Sequence, residues 1–402
     1  MSRILIIGAG WEQEELIKEA KKQGHFIVAT HPIMDNTCLS FVDKYFIKDS
    51  RDISFHLKIA KAYDVDGVLT DNCDYSYFTA CIINEKLGLK DNILQSAIYS
   101  NNKLAQRNAC KLNNIRQPDF YIVQTISDLL EASEKLSFPV ILKPIDNRGT
   151  FGITIINQIS ELENAFYDAI SNSISRVLIC EKFIEGTLIT VDGFCFKDGH
   201  KSLTVASRKF EKGSKPITKE IIYPALLKEE QMIMLKNNHE KVVEALNYKL
   251  GHTHGEYIYS NNGEIFLVEC TNRGGGVYTS SSIVPFLSGI NLNLLLINQA
   301  LNKDEYLYGN GNKTLLEKSV ILTFLDFSPG KVIKSINYDE LIELNYVLKF
   351  ITIYKKNEMV ESIDNCASRH SMLVVVGQNS QETTKNLDDF KNKIKIKYHQ
   401  YD

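Results

Sequence analysis

Apolar positions along the chain change period several times, and the changes mark out its elements. Ile4-Leu5-Ile6-Ile7 is a continuous apolar run closed by Gly8-Ala9-Gly10, the pattern of a short buried strand. Leu16, Ile17 and Ala20 follow at helical spacing as far as Gly24. Phe26–Ala29, Tyr45–Ile47 and Gly67–Leu69 are three further short runs with helical patterns between them, so the first hundred residues read as β-α-β units around a parallel sheet. The Gly8-x-Gly10 turn stands where a dinucleotide fingerprint would stand. Gln13 occupies the place of the third glycine, however, so the turn reads as tight strand-to-helix geometry lining a cleft.

Beyond residue 100 strands and helices mix. Asn102 reads as an N-cap, with Lys103 opening a helical face that carries Leu104 and Arg107. Phe120–Val123 is a strand, and Ser127 is expected to cap a helix through Leu129, Leu130 and Ala132. Val140–Lys143 is a strand closed by Pro144, which holds Lys143 extended. The loop Asp146–Ile153 contains Arg148, Gly149 and Gly152; such a loop can pair amides and a guanidinium with phosphate oxygens. Val177–Cys180 leads into Glu181. Leu188–Phe196 and Leu203–Phe210 read as paired strands, Met232–Leu250 as a helix, and residues 289–301 as an apolar core helix. From about Glu317 short strands over 319–325, 331–334, 350–354 and 371–376 and a helix near 381–392 make a small β-rich unit.

The chemistry concentrates in His254–Gly276. Tyr257–Tyr259 and Ile265–Val268 flank Ser260-Asn261-Asn262-Gly263, the signature of a β-hairpin. Closure about Asn261-Asn262 places Tyr259 opposite Glu264, Tyr257 opposite Phe266 and His254 opposite Glu269. Glu256 and Glu269 then become diagonal neighbours on one face, roughly 7–8 Å apart at Cα. A loop of the other parity, or a bulge, would separate them. Arg273 and Gly274-Gly275-Gly276 follow directly. Two carboxylates beside a guanidinium and an amide-rich turn suit Mg²⁺ next to a phosphate or carboxylate.

Length and charge narrow the class. The 402 residues exceed one core, and the texture divides them into 1–100, 101–310 and 311–402. A net charge of −3 gives no basis for wholesale nucleic-acid or membrane binding. No run approaches the roughly 18 apolar residues of a membrane span, and Arg3 enters a strand without a signal-peptide pattern. The eight cysteines are scattered without a C-x-x-C, which suits buried thiols in a reducing cytosol; a cytoplasmic protein is expected. No Ser/His/Asp or Cys/His arrangement points to a protein nucleophile.

Taken in order, Asn102-Lys103, Phe138–Pro144, Asn147–Gly152, Cys180–Gly186 and His254-Gly255-Glu256 with Glu269–Gly276 resemble the ATP-grasp superfamily. The resemblance is to its carboxylate–amine ligases, related to L-amino-acid ligases and biotin carboxylase, and it runs through most of residues 1–300. It implies an α/β (α+β) ATP-grasp fold with an N-terminal Rossmann-like parallel-sheet domain and a small C-terminal β-rich domain. It also implies that Lys103 and Lys143 meet ATP phosphates under a lid carrying Arg148, Gly149 and Gly152, with Arg148 at the transferred group. Glu181 would accept a hydrogen bond from the adenine amino group or from Lys143, and the backbone of Phe183 and Ile184 would hold the adenine edge. Glu256 and Glu269 would ligate Mg²⁺ or Mn²⁺, while Arg273, Gly275 and Gly276 would orient a substrate carboxylate. Lys143, Arg148, Glu269 and Arg273 are the implied catalytic set.

The implied activity joins a small-molecule carboxylate, such as an amino acid or peptide, to an amine through an acyl phosphate, giving ADP and phosphate. A homodimer is implied as well. Carboxylation or phosphorylation on the same fold are the alternatives, and outside catalysis a nucleotide-binding module; joint retention of Lys143, Glu256, Glu269 and Arg273 favours catalysis. The chain departs from the family pattern at Leu188, where a ribose-binding acid often stands, with Glu185 or Asp192 as substitutes. It departs again at Thr271, where many members carry asparagine, and in a Glu256-to-Glu269 spacing one residue longer. His254 is a candidate for taking up the amine proton, for shaping the metal site, or for plain packing.

Overall fold

In the computed structural model, residues 1–90, 93–147, 150–211, 217–303, 318–363 and 365–399 are described. Strands β1 (Arg3–Ile7), β2 (Phe26–His31), β3 (Lys44–Ile47) and β4 (Gly67–Leu69) pair in parallel in the order β3-β2-β1-β4. Helices α1 (Glu14–Lys22) and α2 (Ile53–Ala62) connect them, and α3 (Asp74–Lys86) and α4 (Leu94–Asn101) follow. Ile4 and Ile6 pack against Leu16, Ile17 and Ala20 on one face of the sheet, and Leu5 and Ile7 against Ile59, Ala60 and Ile83 on the other. Burial from both sides is why the β1 run is continuous rather than alternating.

Helix α5 (Lys103–Leu112) starts as expected, the Asn102 side chain accepting from the Ala105 N–H at 2.9 Å. A small antiparallel sheet follows, built from β5 (Phe120–Val123), β6 (Val140–Pro144), β7 (Thr154–Ile156) and β8 (Leu178–Lys182) in the order β5-β8-β6-β7. Helices α6 (Ile126–Leu136) and α7 (Leu162–Ser171) back it. Ser127 is not the cap of α6. Thr125 is, in a reciprocal capping box in which its hydroxyl accepts from the Asp128 N–H and the Asp128 carboxylate accepts from the Thr125 N–H.

The largest sheet begins with β9 (Gly186–Phe196), β10 (Gly199–Phe210) and β11 (Thr218–Tyr223), covered by α8 (Glu229–Ala245), and continues with β12 (Gly251–Ser260) and β13 (Ile265–Thr271). Helix α8 stops short of the expected Leu250; Asn247 takes a left-handed φ of 53° just past its end. Helices α9 (Val284–Ser288) and α10 (Leu292–Ala300) follow, and Ile297 and Ala300 of α10 pack back into the core of the N-terminal sheet.

The C-terminal elements are β14 (Ser319–Thr323), β15 (Ile333–Ile336), α11 (Tyr338–Ile342), β16 (Val347–Thr352), β17 (Ser371–Gly377), α12 (Ser380–Lys393) and β18 (Ile396–Tyr398). Strands β14, β17 and β16 extend the large sheet to the order β13-β12-β9-β10-β11-β14-β17-β16, while β15 and β18 form a two-stranded ribbon. Three of the C-terminal strands thus share a sheet with the preceding region, joined through the β11–β14 pairing of Glu220–Tyr223 with Val320–Thr323. All eight cysteines are free. No single helix among the described residues is long and apolar enough to cross a membrane.

Candidate active site

The β12–β13 hairpin closes differently from the symmetric expectation. Gly263, at φ 84°, occupies the left-handed position of the turn and donates to Ser260 O, and Ser260 N–H donates to Glu264 O at 2.9 Å. Tyr259 therefore pairs with Ile265 and Tyr257 with Leu267, a parity that alone would put Glu256 and Glu269 on opposite faces. Val268 then enters as a bulge, after which Glu256 pairs with Glu269, Gly255 with Cys270 and His254 with Thr271. The two departures cancel. The carboxylates stand directly opposite each other across the strands, not diagonally, and the bulge accounts for the extra residue in their spacing.

They face a cleft of about 800 Å³ between the small sheet and the large one, a volume suited to a nucleotide-sized ligand. Lys103, Lys143, Glu181, Phe183, Ile184, Glu256, Glu269, Arg273 and Gly276 all line it. Gly152 and Gly275 are not among its lining residues. A Cβ on Gly152 would lie 2.9 Å from Asn172 Cβ and one on Gly275 2.8 Å from His254 Nδ1, so both are small because neighbouring groups press on them. Arg148 and Gly149 lie outside the described residues. Leu188 lines the cleft, but neither of its proposed substitutes, Glu185 and Asp192, does.

At one end, Lys143 Nζ lies 2.7 Å from Glu181 Oε2 and Arg107 Nε lies 2.8 Å from Glu181 Oε1, all three side chains being almost fully buried. Pairing of β6 with β8 sets Ile141 opposite Glu181, bringing the lysine and the carboxylate to one face. Burial pushes the Lys143 pKa down; Glu181 only partly offsets this, and Arg107 adds to it. Burial raises the Glu181 carboxyl, but Arg107 and Lys143 overcome it and hold the pKa below its ordinary value. Two cations share one anion in a dry pocket, a net-positive cluster whose Lys143 and Glu181 line the cleft while Arg107 stands behind them. Nearby, Lys103 Nζ reaches Glu269 Oε2 at 3.2 Å and Asn147 O at 2.8 Å. The Phe183 N–H, expected at the adenine edge, donates to Pro139 O at 3.3 Å.

At the other end, Arg208 Nη2 lies 2.6 Å from Glu256 Oε1, and His254 bridges Asp192 Oδ1 at 2.7 Å and Glu256 Oε1 at 3.7 Å. Burial disfavours the His254 cation, but Asp192 and Glu256 outweigh it and raise its pKa, so the ring holds its proton more firmly than usual. Asp192 also accepts from Thr204 and Tyr223, which fixes it behind the histidine. Arg273 is clamped in a bidentate pair by Asp74 at 2.7 and 2.9 Å, and its Nη1 donates to Gly274 O. The Gly274 N–H donates to Asp71 and the Val277 N–H to Glu12, so two amides of the glycine turn are used within the protein. Arg369, from the C-terminal region, lines the same cleft over the Phe324 ring, and burial lowers its pKa to about 10.

The sequence reading missed Arg107, Arg208, Asp74 and Arg369. Arg107 alone carried a signal, since it lies one helical turn after Lys103 on the same face. The others meet their partners only through strand order or domain packing. Glu256 and Glu269 offer hard oxygen donors, and no group of three or more metal-ligand side chains occurs among the described residues. Two facing carboxylates in an open cleft fit Mg²⁺, which keeps its other positions for water and phosphate oxygens. The buried positive cluster fits the phosphates.

A large antiparallel sheet, a small sheet closing over it and facing acids in the cleft between them are the arrangement of the ATP-grasp fold. The family model of the ATP-grasp domain matches residues 136–281. Among curated proteins, the L-arginine-specific L-amino acid ligase of Bacillus subtilis is 24% identical over 79% of this chain and 77% of its own length. A formate-dependent phosphoribosylglycinamide formyltransferase of Prochlorococcus marinus is 27% identical over 50% of this chain and 54% of its own. Among solved structures, an L-amino acid ligase from Bacillus licheniformis superposes with a TM-score of 0.85 at 18% identity, covering 100% of this chain and 99% of that one. A phosphoribosylglycinamide synthetase from Anaerococcus prevotii gives 0.78 at 21% identity, with 99% and 100% covered. At such identities these structures establish the fold.

Proposed function

We propose that this protein is an ADP-forming carboxylate–amine ligase of small molecules in the cytoplasm, with an amino acid, a peptide or another small acid as the carboxylate. The observation that carries the reading is the pairing, in one cleft, of a buried net-positive cluster with two directly opposed carboxylates. The first arrangement suits the phosphates of ATP and the second a divalent cation beside them. Similarity to L-amino acid ligases supports the carboxylate–amine class.

In this reading a substrate carboxylate oxygen attacks the γ-phosphorus, the bond to the β–γ bridging oxygen breaks, and ADP leaves. An amine nitrogen then attacks the acyl carbon, the carbon–oxygen bond to phosphate breaks, and the nitrogen loses a proton. Lys143 and Lys103 bind phosphate oxygens and offset the charge that develops on them. Arg148 would serve the transferred group, and Phe183 and Ile184 would border the adenine. Glu256 and Glu269 would hold Mg²⁺, which supplies charge neutralisation between the phosphates and the incoming carboxylate. Arg273, fixed by Asp74, and Gly276 orient the substrate from the N-terminal side. His254, fixed by Asp192, positions Glu256.

The test is release of ADP and phosphate from Mg-ATP against pooled amino acids and small carboxylic acids, with Glu269→Ala as control. Release that requires both an acid and an amine, gives an amide product and disappears in the variant is expected. A phosphorylated or carboxylated product would move the protein to a different reaction on the same fold. ATP binding without turnover on any pool would favour the non-catalytic reading.

A further inference from the structure

Helix α5 touches both ends of the cleft, and its Arg107 does so without facing the cleft. The guanidinium is 1% exposed and is not among the lining residues. Its Nε donates to Glu181 at 2.8 Å, and its Nη2 donates to the carbonyl of Val268 at 2.7 Å. Val268 is the bulge residue that restores Glu269 to the face of Glu256. One side chain therefore holds the carboxylate that pairs with Lys143 and also the backbone irregularity on which the acid pair depends.

The rest of the outer edge of β13 is held by plainer means. Gln106 donates to Cys270 O and accepts from Cys270 N–H, and the Leu267 N–H donates to Arg116 O. Those hydrogen bonds satisfy the edge but reach neither Glu181 nor Lys143. Arg107 is different because a guanidinium presents several donors in a rigid fork, so two acceptors from separate sheets are tied at a set distance. Lysine at this position could satisfy one of them at a time.

We propose that Arg107 is a positioning residue that couples nucleotide binding to metal binding, by fixing the Lys143–Glu181 pair and the Val268 bulge in one geometry. This rests on the reading of the cleft as an Mg-ATP site. The measurement is calorimetric ATP binding to the full-length protein, in excess Mg²⁺ and in excess EDTA, without other substrates. The quantity read is the ratio of the two dissociation constants.

For Arg107→Lys and Arg107→Gln, the constant in Mg²⁺ should rise about tenfold, the size expected for one charge-assisted hydrogen bond. The advantage conferred by Mg²⁺ should fall about fivefold, which is the loss of coupling. Glu181→Gln, which cuts the other arm of the same fork, should also weaken binding and lower the ratio. Gln106→Leu should lower the thermal midpoint and move neither constant. Folded Arg107 variants with the native ratio would overturn the proposal.

Should neither variant fold, Glu181→Gln reads the same coupling from the nucleotide side, and a native ratio there would overturn the proposal. Wild-type protein that does not bind Mg-ATP would remove the ligase reading and this inference together. Wild-type binding with an unchanged ratio in the variants removes this inference alone.

Discussion

At the end of the cleft proposed to take the nucleotide two buried cations share one carboxylate; at the end proposed to take the metal each carboxylate is already paired with a cation. Lys143 and Arg107 converge on Glu181, whereas Glu256 is met by Arg208 and Glu269 by Lys103. The first end is left short of negative charge, so an incoming phosphate relieves it. At the second each acid is already paired before anything binds, so a divalent cation would compete with Arg208, His254 and Lys103 for its ligands. The contrast implies an order of events: phosphates that draw Lys103 and Arg208 away would free the acids, making the metal bind best with the nucleotide.

The largest expected effect comes from removing the metal end. Glu256→Gln with Glu269→Gln should cut ADP release by about 100- to 1,000-fold, the range for losing a preorganised electrostatic group; a drop of only a few-fold would show that the acid pair is not the metal site. Next, Lys143→Met should raise the ATP concentration for half-saturation by about 10- to 100-fold, as expected when a charge-assisted hydrogen bond is removed from a dry pocket. Circular dichroism would confirm that the fold survives.

Smaller, and opposite in sign, is the effect of Arg208→Met. Without its competing cation, Glu256 should take Mn²⁺ more tightly in the absence of nucleotide, by about fivefold, measured by electron paramagnetic resonance; a change of about 1 kcal/mol is typical of such a pair. Weaker Mn²⁺ binding would undo the contrast between the two ends, since Arg208 would then be organising the site rather than occupying it.

The smallest is a shift along the pH axis. Lys143 must be charged to hold phosphate, and its pKa is lowered by burial, so kcat/KM for ATP should fall as pH rises through that lowered value. Bound phosphate favours the ammonium and returns the pKa upward, so the alkaline limb of kcat should lie at higher pH than that of kcat/KM. Lys143→Arg, charged throughout the range, should flatten the limb in kcat/KM. The same lowered pKa means that charging Lys143 costs the free protein stability below that pKa, a cost that fades as pH rises through it.

Much of the fold could be read from local patterns. The apolar β1 run, the Asn102 cap and the strand end at Lys143-Pro144 each follow from a few adjacent residues. The hairpin was legible in its strands but not in its register, because Gly263 rather than Asn261-Asn262 governs the turn and a bulge leaves no compositional mark. The same face was reached through two offsetting departures. Arg273 could be singled out but Asp74 could not, since their pairing spans 199 residues and depends on how α3 docks. The apolar core of β14 shows that the strand is buried, as it is on both faces, but not that its neighbour is β11.

That last pairing bears on how the protein can be divided. A fragment ending near residue 303 would keep the elements that carry the lysines and glutamates of the cleft, yet it would leave β11 with a bare row of donors and acceptors where β14 now lies. Exposed edges of that kind recruit other chains. The C-terminal strands therefore act as a seal, with the segment before β17 lending Cys366 and Arg369 to the cleft, and the large sheet and its seal would have to be exchanged, truncated or inherited as one piece.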